Sequence, residues 1–155
     1  MNEFQAKKLG EVLAFAKVGV DTIEKAQESF EEIFGKEETR SFVSKNQQHI
    51  DKIEILAEKA GVKEIVMTKA EGTGGKLMKM RDIYIGDQWQ KASEIAEWLG
   101  FFEGAAYVHW NLVDGAGESN HVEGLKALAD EAVIFHKSLL ESASDFLKEL
   151  GKSKK

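Results

Sequence analysis

Residues 88–117, QWQKASEIAEWLGFFEGAAYVHWNLVDGAG, hold all three tryptophans of the 155-residue chain, Trp89, Trp98 and Trp110, together with Phe101, Phe102 and Tyr107. Their spacing predicts a long helix with two apolar faces. Ala92, Ile95, Leu99, Phe102, Ala106, Trp110 and Val113 recur at three- and four-residue steps, the period that turns one side of an α-helix toward a core. Trp98, Phe101, Ala105, Val108, Leu112 and Ala116 form a second stripe about 100° round the axis. One buried stripe is enough for a bundle helix, and a large apolar patch left over marks a partner surface. The expectation is an all-α fold whose aromatic helix is both core element and interface. Trp98, Phe101, Ala105, Val108 and Leu112 are its contact residues, and a homodimer is the first arrangement to consider.

Working outward, Asn2 and Gln5 read as a capping box that opens a first helix over residues 3–34, with Leu9, Leu13, Ala16, Val20, Ile23, Phe30 and Phe34 at helical spacing before Gly35. A second helix is expected over 39–60, closed by Gly61. Residues 62–87 differ: a short piece (Val62–Lys69), a flexible break at Glu71–Gly75 and a brief apolar segment around Met78, Met80, Ile83 and Ile85 read as a crossover. Asp87 with Gln90 would cap the aromatic helix, 88–116, and Asn120 with Glu123 would box the start of a fourth, 121–150. The chain has no proline, the residue that most often breaks helix interiors. Short links imply antiparallel pairs, and the roughly 26 residues of the crossover can traverse a bundle about 35 Å long. A single domain, 1–155, is the natural organisation at this length.

Two antiparallel helix pairs joined by one long crossover between helices two and three resemble the ferritin-like four-helix bundles, and the segment His49–Gly61 looks like the second helix of that superfamily. The resemblance implies a metal motif of Glu-x-x-His on two helices with a glutamate on each of the others. Here Asn46 stands three before His49, and Val133 three before His136.

His136 lies at the centre of the fourth helix's apolar arc, Asn46 at the centre of the second's with His49 about 50° to one side, and Glu103 about 60° from the core direction of the third. All are near mid-helix, so His49, Glu103 and His136 are expected within a turn or two of one another, with Asn46 and Gln27 around them. Two imidazoles and a carboxylate suit iron or zinc. The alternative is a set of hydrogen-bonded core polar groups with no cofactor. His109, between the two faces of helix three, and His121, at a helix start, read as packing and capping residues.

Composition excludes more than it assigns. With no cysteine there are no disulfides, thiolate metal sites, cysteine nucleophiles or iron–sulfur clusters. The start, MNEFQAKKLGEVLAF, is amphipathic rather than a secretory signal, and no stretch reaches membrane-spanning length, which points to a cytoplasmic protein. A formal net charge of −6 argues against nucleic acid as partner, the lysines of Gly151–Lys155 reading as a solvated tail. Glu71–Lys76 lacks the first glycine and the Ser/Thr of a phosphate-binding loop, and no serine sits in a Gly-x-Ser-x-Gly turn. The residues do not point to an enzyme. They point to a self-associating structural or interaction protein, with a metal-binding or oxidoreductase bundle as the alternative.

Overall fold

The computed structural model describes residues 1–154; Lys155, the end of the lysine-rich tail, lies outside the described residues. These residues form six α-helices and no strand: α1 (Glu3–Lys25), α2 (Gln27–Phe34), α3 (Lys36–Lys59), α4 (Lys63–Ile85), α5 (Ala92–Ser119) and α6 (Leu125–Ser153). The all-α reading stands, but the helices number six where four were expected. No helix among the described residues is long and apolar enough to cross a membrane.

The expected first helix divides at Ala26, whose backbone (φ −115°, ψ 32°) leaves helical geometry. One turn earlier the Thr22 hydroxyl donates to the Val18 carbonyl at 2.6 Å, a side-chain bond that bends helices. The bend turns α2 so that Phe30 and Ser29 are buried, and the Ser29 hydroxyl donates to the Trp89 carbonyl at 2.9 Å. At the start of α1 the Asn2–Gln5 box forms in full. Gly61, at φ +68°, takes the left-handed position expected after α3.

The larger correction concerns residues 62–87, which are helical for most of their length rather than an irregular crossover. The Gly72–Gly75 run, costly in a helix by about 1 kcal/mol per glycine relative to alanine, is carried by packing on α1. Val66, Ala70 and Ile85 are buried, and Gly10 lets the backbones approach so closely that a Cβ there would lie 2.6 Å from the Val66 carbonyl oxygen. Arg81, 1% exposed, pins the far end: its Nη1 donates to Asp21 at 2.6 Å and to Thr22 at 3.0 Å. Its guanidinium also lies over the Trp89 ring.

Two expected caps do not form. Asp87 accepts from the Gln88 amide, and α5 starts only after Lys91, with no side-chain cap. Asn120 is drawn instead to the N-terminus, its Nδ2 donating to Gln5 Oε1 at 2.9 Å, and α6 starts after Gly124 at φ +82°.

Cross-helix pairs fix the directions. Lys17–Glu54 and Gly19–Asn46 set α1 antiparallel to α3, and Gln5–Ala116 and Glu11–His109 set it antiparallel to α5. Gly10–Val66, Ala14–Gly74 and Asp21–Arg81 make α1 and α4 parallel. Asp114–Lys126 and Glu103–His136 run α5 against α6, and Lys52–Glu131 and Phe42–Phe135 run α3 against α6. The buried apolar side chains fall into two clusters. One is built around Leu9, Leu13, Ile53 and Trp110, the other around Phe15, Ile95, Leu99 and Phe102.

The α1–α4 contact gives opposite expectations for two glycines. Gly10→Ala should destabilise by about 1–3 kcal/mol, because backbone must move, whereas Gly75→Ala, with nothing within 4 Å, should stabilise α4 by up to about 1 kcal/mol. Urea denaturation of the two variants checks both signs.

Candidate functional site

Between the two apolar clusters lies a polar layer. Asn46 and His49 reach it from one face of α3, three residues apart, Glu103 from α5 and His136 from α6, and none is more than 5% exposed. The convergence of His49, Glu103 and His136 read from the sequence is present. His136 Nδ1–H donates to Glu103 Oε2 at 2.5 Å. A carboxylate only accepts, so Nδ1 carries the hydrogen of this bond, and Nε2 is the ring's other nitrogen. No protein group meets that Nε2, and neither nitrogen of His49 has a hydrogen-bond partner. The His49 ring stands edge-on to Trp110 and Phe135, with centroids 5.9 and 5.4 Å away, and 6.2 Å from that of His136. Burial in these surroundings, with a smaller push from His136, lowers the His49 pKa to about 4, so the ring is neutral at pH 7.

Asn46 Nδ2 donates to the Phe42 carbonyl at 3.0 Å, which leaves Oδ1 unpartnered. Beside it, Gly19, Thr22, Asn46, Phe102 and Glu103 line a void of about 10 Å³, the scale of a single water. A Cβ at Gly19 would lie 3.3 Å from the Asn46 amide, so this glycine sets the room available. The unpartnered atoms include acceptors at Asn46 Oδ1 and at one nitrogen of the neutral His49, with the other nitrogen of His49 as a donor. Chemically the layer suits a species that donates hydrogen bonds or accepts lone pairs. Among the described residues no group of three or more His, Asp and Glu side chains is arranged to hold a metal ion, Glu103 being engaged by His136.

Gln27 does not belong to this layer. The break at Ala26 rotates α2 away from the face that α1 would have continued, and Gln27 is exposed, donating to Glu31 at 3.0 Å. His109 packs on Phe15 and bonds Glu11 Oε2 at 3.0 Å, while His121 lies in the exposed link before α6. Two acidic residues escaped the sequence reading. Glu11 is a buried carboxylate on α1. Burial works to raise its pKa, but the ammoniums of Lys8 and Lys69 prevail and hold it low. Glu131, five residues before His136, lies off the apolar arc of α6, yet the packing of α3 brings its Oε1 to 3.8 Å from His49 Nε2. Lys52 holds its other oxygen at 3.0 Å and lowers its pKa.

The second stripe of α5 is split. Trp98, expected at the interface, is 3% exposed, because Tyr84 and Phe102 cover its ring at 5.9 and 6.0 Å. Ala105 is half-buried, and Phe101, Val108 and Leu112 remain exposed. No protein-family model, curated protein or solved structure matches the chain.

The neutral His49 has a consequence for acid stability. The native state keeps the ring unprotonated down to about pH 4, whereas the unfolded chain takes up that proton near 6.5. Between these values the unfolded state binds more protons, so stability rises with pH across the window and is lost as pH falls. The contribution is about 3 kcal/mol between pH 7 and 4. Urea denaturation of His49→Phe should show a pH dependence smaller by that amount.

Proposed function

We propose that α1, α3, α5 and α6 form a ferritin-like four-helix unit with α4 as its helical crossover, and that the chain works as a structural or interaction protein by pairing with a second copy of itself. The observation that carries this reading is the bare stripe of α5, where Phe101 and Val108 are 61% and 63% exposed. It continues across Tyr84, whose ring lies 5.2 Å from that of Phe101, to Ile83 and Met80 on α4, both exposed. The order Phe101, Gly104, Ala105, Val108 is large, small, small, large. Under a two-fold axis with antiparallel α5 helices, Phe101 of one copy would face Val108 of the other, the small residues allowing close approach at the centre. Self-complementarity of that kind is what a two-fold interface requires.

A second reading, favoured by the unpartnered nitrogens of His49 and His136, is a metal-binding bundle that takes iron or zinc in the polar layer. Elemental analysis of protein purified without chelator checks it: stoichiometric metal supports it, and none, with none taken up on titration, removes it.

For the leading reading, sedimentation velocity over a concentration series should show a dimer that dissociates on dilution. Phe101→Glu should be monomeric with an unchanged helical spectrum; a variant that sediments as the wild type does would overturn the assignment.

A further inference from the structure

We propose that Glu131, on the wall of the groove between α3 and α6, and His49, buried behind it, form a cation-capture site that takes up a divalent ion of the zinc class. The site shares His49 alone with the metal reading above and needs neither Glu103 nor His136.

The geometry points there in three ways. His49 Nε2 is fully buried, has no hydrogen-bond partner and lies 3.8 Å from Glu131 Oε1. That separation is too long for a hydrogen bond. Two ligand atoms held about 2.1 Å from one ion at a tetrahedral angle stand about 3.4 Å apart, so a shift of a few tenths of an ångström in the Glu131 carboxylate would bring the pair into ligating range. Glu131 is free to make it, its side chain being 39% exposed.

The groove brings solvent as far as Glu131. It has a volume of about 290 Å³ and is lined by Lys52, Leu56, Gly124, Leu128 and Glu131 among others. Water reaching Glu131 from the groove would fill the positions the protein leaves open, as water fills the open position of catalytic zinc sites with three protein ligands. Lys52 Nζ sits on Glu131 Oε2 and leaves Oε1 unengaged, so the ammonium competes with the ion for the carboxylate without blocking the ligating oxygen. One neutral imidazole with one carboxylate selects against magnesium and calcium, which prefer all-oxygen shells, and for zinc and its neighbours.

The test is isothermal titration of Zn²⁺ alone into the chelator-stripped full chain. Imidazole ¹⁵N spectra read His49 directly, and the variants are Glu131→Gln, Lys52→Ala and Glu103→Gln. One ion per chain is expected, with a shift of the His49 Nε2 resonance. Binding should weaken at least about tenfold in Glu131→Gln, tighten in Lys52→Ala and stay unchanged in Glu103→Gln. Both surface variants leave the core intact. If binding survives Glu131→Gln and falls in Glu103→Gln, the ion occupies the inner layer: the capture site is overturned and the metal reading above stands. No binding, or binding indifferent to every variant, overturns the capture site.

Discussion

The bond between His136 and Glu103 is made in the buried interior of the molecule, and much of the remaining arrangement follows from the need to keep it. An unpaired carboxylate or imidazolium among Phe102, Phe135 and Trp110 would cost several kcal/mol. Sliding α6 along α5 by one turn would separate the two groups while leaving the hydrophobic stripes nearly as well matched. Leucine and alanine tolerate such slips; a short polar contact does not. The pair therefore acts as a register mark for the two longest helices, and α3 inherits its position by packing His49 into the aromatic walls beside it. The apolar clusters above and below supply most of the burial and little of the directionality.

Helix α1 serves the other half of the molecule in a different manner. It faces α3 and α5 in antiparallel fashion and α4 in parallel, so almost its whole circumference is covered: Ala6, Leu9, Val12, Leu13, Ala14, Phe15 and Val18 are all buried. Coverage on that scale demands small residues where a neighbour comes close. Gly10 answers α4 and Gly19 answers Asn46. The Arg81 contacts with Asp21 and Thr22 then hold α4, whose own apolar surface is too scattered to fix its position.

Much of the fold was legible because α1, α3, α5 and α6 carry apolar residues at the helical period, a signal that tertiary packing amplifies. The midpoint convergence of His49, Glu103 and His136 followed from the same arithmetic, since antiparallel helices of similar length place their centres at one level. What was missed has a common cause. Residues 63–85 show almost no amphipathic pattern, because α4 buries a narrow strip of Val66, Ala70, Arg81 and Ile85 on α1 and leaves Ile83 and Met80 outside. Glycines there read as a break, yet the helix runs through them: a Cβ at Gly74 would lie 3.9 Å from Ala14, while Gly72 and Gly75 have nothing within 4 Å. Asp87 and Asn120 carried good capping chemistry but found other partners, and Gln27 left the core when one backbone angle changed at Ala26. Trp98 shows the limit of reading a helix alone: whether its second stripe is bare depends on Tyr84, fourteen residues earlier and on another element.

The central position of α1 also has a meaning for synthesis. α1 is made before two of the neighbours that cover it, α4 and α5, which end at Ile85 and Ser119. At about 5–20 residues per second, the 94 positions from Lys25 to Ser119 take about 5–20 s to make. For that interval α1 has α2, α3 and then α4 beside it, with its α5 side open to water. A nascent chain in that state presents a continuous ridge of leucine, valine and phenylalanine, the kind of surface that chaperones engage. α5 and α6 can pair with each other as a local hairpin, but α1 must wait until Ser119 has been made.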